Sequence, residues 1–402
     1  MTTTWTSRLA QRTVGKDGSI TAILALANAQ GLINFSGGFP APEVFPSDAL
    51  ASIAADLIRD DPAVALQYAA SEGIATTREA IADHLFEIDG QRPGPGELMV
   101  TSGGIDGVTL IARSMLDPGD VVVVEEPSYV GAVTGFTGQD AVVQGVPIDE
   151  HGLVVDGLAA LVERGQVPKV VYTIPEYQNP TGRTMSLERR HALVELCRAH
   201  QILIAEDVAY RELGFSDERL PSLHSLAPDL VVQLGTFSKT FFPGVRLGWA
   251  AGPAEIIEQL AVAKQNSDQC AGAFGQRMVE EYLRRGYFGP QVKIERDFYA
   301  QRGAAMHQAL TDQMPASVTW TQPQGGFFCW LEVPGVHTVE LAAQAREAGV
   351  AFVPGVAFFS RQDHHEYLRL SYSRATVPDI GAGVEILGRL VRQAWDRTSG
   401  GA

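Results

Sequence analysis

From about residue 98 the chain alternates short, nearly unbroken apolar runs with amphipathic segments, and no other feature limits its fold as strongly. The runs are Leu98–Thr101, Val121–Glu125, Ala141–Val146, Lys169–Ile174, Ile202–Glu206 and Val231–Gly235. Runs of this length, rich in valine and isoleucine and lacking a polar face, suit strands buried on both sides. Between them lie segments of helical spacing. In Leu187–Ala199, for instance, Leu187, Leu193, Val194 and Cys197 share one face. The alternation predicts an α/β fold, a mostly parallel sheet covered by helices on both faces. Ligands of such sheets bind beyond the carboxyl ends of the strands.

Polar residues gather at those ends. Ser102-Gly103-Gly104 follows the first run, Glu126 to Tyr129 the second, Pro175 to Gly182 the fourth, Asp207 with Tyr210 the fifth, and Thr236 to Lys239 the sixth. The last group continues to Arg246. Lys239 supplies an amine for a Schiff base, while Thr236, Ser238 and Arg246 supply the donors that a phosphate dianion requires. An aldehyde cofactor carrying a phosphate, pyridoxal phosphate (PLP), needs this combination. It also needs a buried carboxylate to keep its ring nitrogen protonated, and Asp207 stands at a strand end where it can reach inward. Asp207 alone reads equally well as a helix N-cap. Tyr210 and Asn179 can donate to the cofactor phenolate oxygen, Tyr129 can stack on the ring, and the amides of Ser102-Gly103-Gly104 can face the phosphate. Each has a plain alternative, as a packing tyrosine or a turn. An amino-acid substrate carries an α-carboxylate, and Arg369 sits within an apolar strand-like segment, Leu368-Arg-Leu-Ser, suited to holding it.

With 402 residues the chain can build one large and one small lobe. The strand–helix pattern changes near residue 296, which predicts an N-terminal arm over 1–45, a cofactor-binding domain over 46–295 and a small α+β domain over 296–402. A net charge of -16 argues against nucleic acid and acidic membranes as partners. Three scattered cysteines make neither a disulfide framework nor a metal site. Without a secretory signal or a long apolar run, a cytoplasmic location without membrane contact is expected.

The assembled motifs resemble fold type I PLP-dependent aminotransferases of class I/II, in particular the group of 2-aminoadipate aminotransferases and kynurenine aminotransferase II. The resemblance runs through the segment from Asn34 to Pro46, Leu66 to Tyr68 with Gly73, Gln178 to Gly182, Glu206 to Leu213, the Lys239 block, Gly325-Gly326, Ala351 to Gly355 and Leu368 to Tyr372. It implies a seven-stranded, mostly parallel sheet in the large domain. It implies a homodimer in which Tyr68 reaches the neighbouring subunit's phosphate. It also implies that Lys239 shuttles a proton and that Asn179 and Arg369 grip the carboxylate, with Gly38 beside the substrate backbone. A ping-pong exchange between an L-amino acid and a 2-oxo acid follows; elimination, oxidation or cyclisation on the same cofactor is the alternative. A non-catalytic sensor is disfavoured, because no helix-turn-helix module is expected ahead of these motifs.

Three places depart from the family pattern: residues 104–106, Thr21 and Glu176. Gly104, Ile105 and Asp106 replace side chains that usually serve the phosphate, so backbone amides are expected there, with Asp106 turned away. Thr21 stands where aminoadipate enzymes carry an arginine for the distal carboxylate, which argues for another donor: aromatic, aliphatic or basic. Phe39, Phe45 and Phe358 are expected near the mouth of the pocket, where they would suit an aromatic or broad choice of substrate. Glu176 is expected as a solvated loop carboxylate or, less readily, as an attractor for a cationic substrate tail.

Overall fold

The computed structural model describes Trp5, residues 8–10, 23, 25–26, 29–360 and 363–399. Thr21 lies outside the described residues.

Near the N-terminus a short strand, β1 (Ile33–Asn34), pairs in parallel with β12 (Val350–Ala351), so the chain ahead of the large sheet is tied to its C-terminal part. The large sheet has eight strands: β2 (Leu98–Thr101), β3 (Val121–Glu126), β4 (Val142–Asp149), β5 (Gly152–Leu153), β6 (Val170–Thr173), β7 (Leu203–Asp207), β8 (Val231–Thr236) and β9 (Gly248–Ala251). Their spatial order is β2-β9-β8-β7-β6-β3-β4-β5. The pairs β3–β4, β3–β6, β6–β7 and β7–β8 are parallel; β9 runs antiparallel to both β8 and β2. Seven strands make the expected body, and β5 adds a two-residue antiparallel edge.

Successive residues of β3 and β6 enter different cores. Val122, Val124, Val170 and Tyr172 join Val108 and Ile111 on one face, while Val123 and Val171 join Leu158, Leu193 and Cys197 on the other. That is the period-two consequence of a strand covered on both sides. The sequence pattern does not reveal β9, because Gly-Trp-Ala-Ala reads as a turn rather than an apolar run. Small residues suit it: β9 lies between β2 and β8, and a Cβ at Gly248 would sit 2.5 Å from the Gly235 carbonyl.

A second sheet, of order β10-β11-β14-β13, is antiparallel and comprises β10 (Thr319–Trp320), β11 (Phe328–Glu332), β13 (Val353–Pro354) and β14 (Tyr367–Ser371). The helices Phe288–Gln313 and Val377–Ser399 pack on each other, and the former runs without interruption past residue 296.

Candidate active site

Strands β8, β7, β6 and β3 are neighbours, so the loops beyond their carboxyl ends converge. They wall a cavity of about 250 Å³, which Phe328, Phe358 and Arg369 from the C-terminal part of the chain also line. The wall takes in Gly38, Gly104, Tyr129, Asn179, Asp207, Tyr210, Thr236, Ser238, Lys239, Arg246 and Arg369. Ser102 and Gly103 stand just behind it, and Tyr68 lies apart from it, 82% exposed on the surface.

Lys239 follows β8 and donates from Nζ to the Gly38 carbonyl at 2.9 Å. Burial, reinforced by the positive charge of Arg369, pushes this amine down to about 8. Asp207 ends β7. Its Oδ2 accepts from the Tyr172 hydroxyl at 2.7 Å and its Oδ1 from the Ala209 amide at 3.0 Å. Burial raises its pKa, against those two hydrogen bonds. The sequence reading did not single out Tyr172, although a tyrosine within the apolar run of β6 demands a polar partner for its hydroxyl.

Arg369 occupies the middle of β14, which is flanked by β11 and β13. Its Nη1 donates to Asn179 Oδ1 at 2.8 Å and its Nη2 to the Ser36 carbonyl at 2.5 Å. Nε has no partner, and no carboxylate among the described residues pairs with this guanidinium. Its carbon lies 4.2 Å from the Phe328 ring centre and 4.8 Å from that of Phe358. Burial lowers its pKa to about 10. A buried cation with an unused donor and only neutral partners fits an incoming carboxylate.

At the opposite end Thr236 Oγ1 donates to Ser238 Oγ at 3.0 Å, and Arg246 Nη1 lies 3.5 Å from the same hydroxyl. Arg246 Nη2 donates to the Ser102 carbonyl at 3.3 Å. The helix Gly104–Met115 begins here, and its first amides lack intrahelical acceptors. Gly103 has φ +98°, and a Cβ on it would lie 2.7 Å from Arg246 Nη2. The cradle therefore needs glycine, and its donors match an anion. An amine, a buried carboxylate and a basic cradle on one cavity fit pyridoxal phosphate.

Two expectations are corrected. Glu176 is neither solvated nor part of the cavity wall: it is buried, and both Arg190 (2.7 Å) and Arg211 pair with its Oε1. Phe45 does not line the cavity, whereas Phe39 and Phe358 do. A buried carboxylate that the sequence reading did not single out, Glu125, accepts from Thr173 Oγ1 at 2.5 Å and from Gln178 Nε2 at 3.0 Å. It braces the loop that carries Asn179, and burial pushes it up to about 7.

Comparison with known proteins agrees with this chemistry. The model of the family described as aminotransferase class I and II matches residues 31–386. Aromatic-amino-acid aminotransferase 1 of Thermococcus litoralis is 35% identical over 384 residues, 94% of this chain and 92% of that protein. The crystal structure of a multiple substrate aminotransferase from Thermococcus profundus matches with a TM-score of 0.93 at 34% identity, covering 98% of this chain and 100% of that one. That of an α-aminoadipate aminotransferase from Thermus thermophilus, complexed with N-(5'-phosphopyridoxyl)-L-leucine, matches with a TM-score of 0.91 at 35% identity, over 98% and 100% of the two chains. The chain belongs to the class I and II aminotransferases and is a PLP-dependent, fold type I enzyme.

Proposed function

We propose that the protein moves the α-amino group of an apolar or aromatic L-amino acid to a 2-oxo acid, with Arg369 as the carboxylate anchor. The observation that carries this reading is that no carboxylate among the described residues pairs with buried Arg369, in the same cavity as Lys239. The other cations of that cavity, Lys239 and Arg246, are engaged at the amine and anion positions, which leaves none among the described residues for a distal carboxylate. Ile23, Phe39, Ile105, Val130 and Phe358 offer an apolar wall to a side chain instead. Among the described residues a basic side chain finds no free acid there, since Asp207 is held by Tyr172 and Glu176 by two arginines.

Pyridoxal phosphate supplies an electron-poor ring that accommodates the electron pair left when the α-proton departs. Thr236, Ser238 and Arg246 would hold its phosphate, with the amides that follow Ser102, at Gly103 and Gly104. Tyr129 would pack on the ring, and Asn179 and Tyr210 would donate to its oxygen. Asp207, oriented by Tyr172 and Ala209, places a negative charge that favours a proton on the ring nitrogen. Lys239 Nζ would take the α-proton and hold it for return, as the one buried amine that lines the cavity among the described residues. An amine titrating near 8 is available for this at neutral pH, whereas an ordinary lysine near 10.5 is almost fully charged. Asn179 and Arg369 grip the substrate carboxylate, and the Gly38 carbonyl holds the amine close by. Exposed Tyr68 is assigned to the phosphate of a second copy in a homodimer.

Initial rates with 2-oxoglutarate as acceptor test the proposal. Phenylalanine or leucine is expected to exceed 2-aminoadipate and lysine in kcat/KM by about tenfold or more, a difference of about 1.4 kcal/mol. A preference for aminoadipate would overturn the substrate class.

A further inference from the structure

Behind the phosphate cradle lies a charged cluster with no part in the chemistry above. Lys264 lies in the last turn of the helix Ala254–Gln265, and its side chain is wholly buried. Its ammonium donates to Asp106 Oδ2 at 2.9 Å, to Asp268 Oδ1 at 2.9 Å and to Ser102 Oγ at 3.1 Å. Asp106 Oδ2 also accepts from the Ser102 amide at 2.8 Å, and the Ser102 hydroxyl donates to Asp268 Oδ2 at 2.5 Å. The carbonyl of the same serine accepts from Arg246.

Elementary electrostatics gives this cluster two consequences. Asp106 lies in the first turn of the helix whose amides face the cradle, so its charge opposes an incoming dianion. Its hold on the Ser102 amide leaves the next amides, of Gly103 and Gly104, as the donors at this end. An ammonium with no exposed surface is costly unless its partners are charged, and here two carboxylates and a hydroxyl satisfy it. We infer that Lys264 is a positioning residue for the cofactor phosphate: it offsets Asp106 and fixes the Ser102-Gly103 turn against Arg246, so that the cradle favours a dianion despite an acid beside it. This rests on the phosphate seat proposed above.

The test compares how apoprotein variants bind pyridoxal phosphate and pyridoxal, which lacks the phosphate, by fluorescence titration. Lys264→Met is expected to weaken pyridoxal phosphate by about tenfold or more and pyridoxal by less than about twofold; adding Asp106→Asn is expected to recover most of the loss. Equal weakening of both ligands, or no recovery in the double variant, overturns the inference, because a purely structural cluster would behave so. If Lys264→Met fails to fold, Asp106→Asn alone decides. Unchanged or tighter binding of pyridoxal phosphate is expected, and weakening beyond about threefold contradicts the inference. Arg246→Ala separates the two claims. If it too weakens both ligands alike, the phosphate seat is wrong; if it is selective while Lys264→Met is not, only the role of Lys264 fails.

Discussion

Single side chains in this site are defined by what they lack. Among the described residues Arg369 has neutral partners on two nitrogens and none on the third, so its replacement removes the charge proposed to meet the substrate carboxylate. Arg369→Gln is expected to reduce kcat/KM for every amino acid by about a hundredfold or more, chiefly through KM, as steady-state rates would show. Gly103→Ala places a methyl group 2.7 Å from the Arg246 guanidinium at a φ that alanine avoids. Loss of cofactor affinity with little change in the fold is expected, measurable as a lower content of bound pyridoxal phosphate at a normal circular dichroism spectrum. Lys239, Asp207 and Asn179 are readable in the sequence because each stands at or beyond the end of a strand: Lys239 after β8, Asp207 ending β7, Asn179 beyond β6. Their supports are not. Tyr172 and Glu125 lie inside or at the end of apolar runs, where a lone polar residue reveals neither its direction nor its partner. Glu176 is hard to place for a related reason. Its partners, Arg190 and Arg211, come from a helix 14 residues on and a turn 35 residues on, and no local pattern brings three such charges together.

At the scale of elements, the parallel strands β3, β6, β7 and β8 are evident as apolar runs, because burial on both faces removes polar residues from the segment. The antiparallel strand β9 is hidden: close contact with neighbouring backbone selects glycine and alanine, which imitate a turn. The doublet Gly325-Gly326 acquires a meaning only in three dimensions, where a Cβ on Gly325 would stand 2.5 Å from the Tyr177 ring. The long helix Phe288–Gln313 carries a testable cost. Glu295 on it is buried, its Oε2 has no partner among the described residues, and burial pushes its pKa from 4.5 to about 8. Between those values the folded state keeps a proton that the unfolded chain has released, so this group's contribution to stability falls as pH rises from about 4.5 to about 8. Glu295→Gln is expected to stabilise the protein by about 1–3 kcal/mol at pH 8.5 and by much less at pH 5, in urea unfolding of both proteins. A benefit independent of pH would contradict this.

For the whole molecule, the presence of two sheets matters because Lys239 and Asp207 stand at the ends of strands of the large sheet while Arg369, the proposed substrate anchor, lies on a strand of the small one. Exposed Ile58, Leu66 and Tyr68, at 54%, 60% and 82%, are large apolar surfaces for a single chain to leave in water. A dimer of twice the 43.2 kDa chain mass is expected in light scattering, with Tyr68→Phe lowering cofactor affinity but not the mass. The measurement that bears most directly on the central claim is a single-turnover absorbance scan of the cofactor-loaded enzyme, wild type and Lys239→Ala, against aromatic, aliphatic, acidic and basic L-amino acids. The wild-type cofactor is expected to convert to its amine form, fastest with aromatic or aliphatic donors, with the matching 2-oxo acid released, and Lys239→Ala is expected to convert none. Normal conversion by Lys239→Ala, or release of ammonia in place of cofactor amination in the wild type, would contradict it.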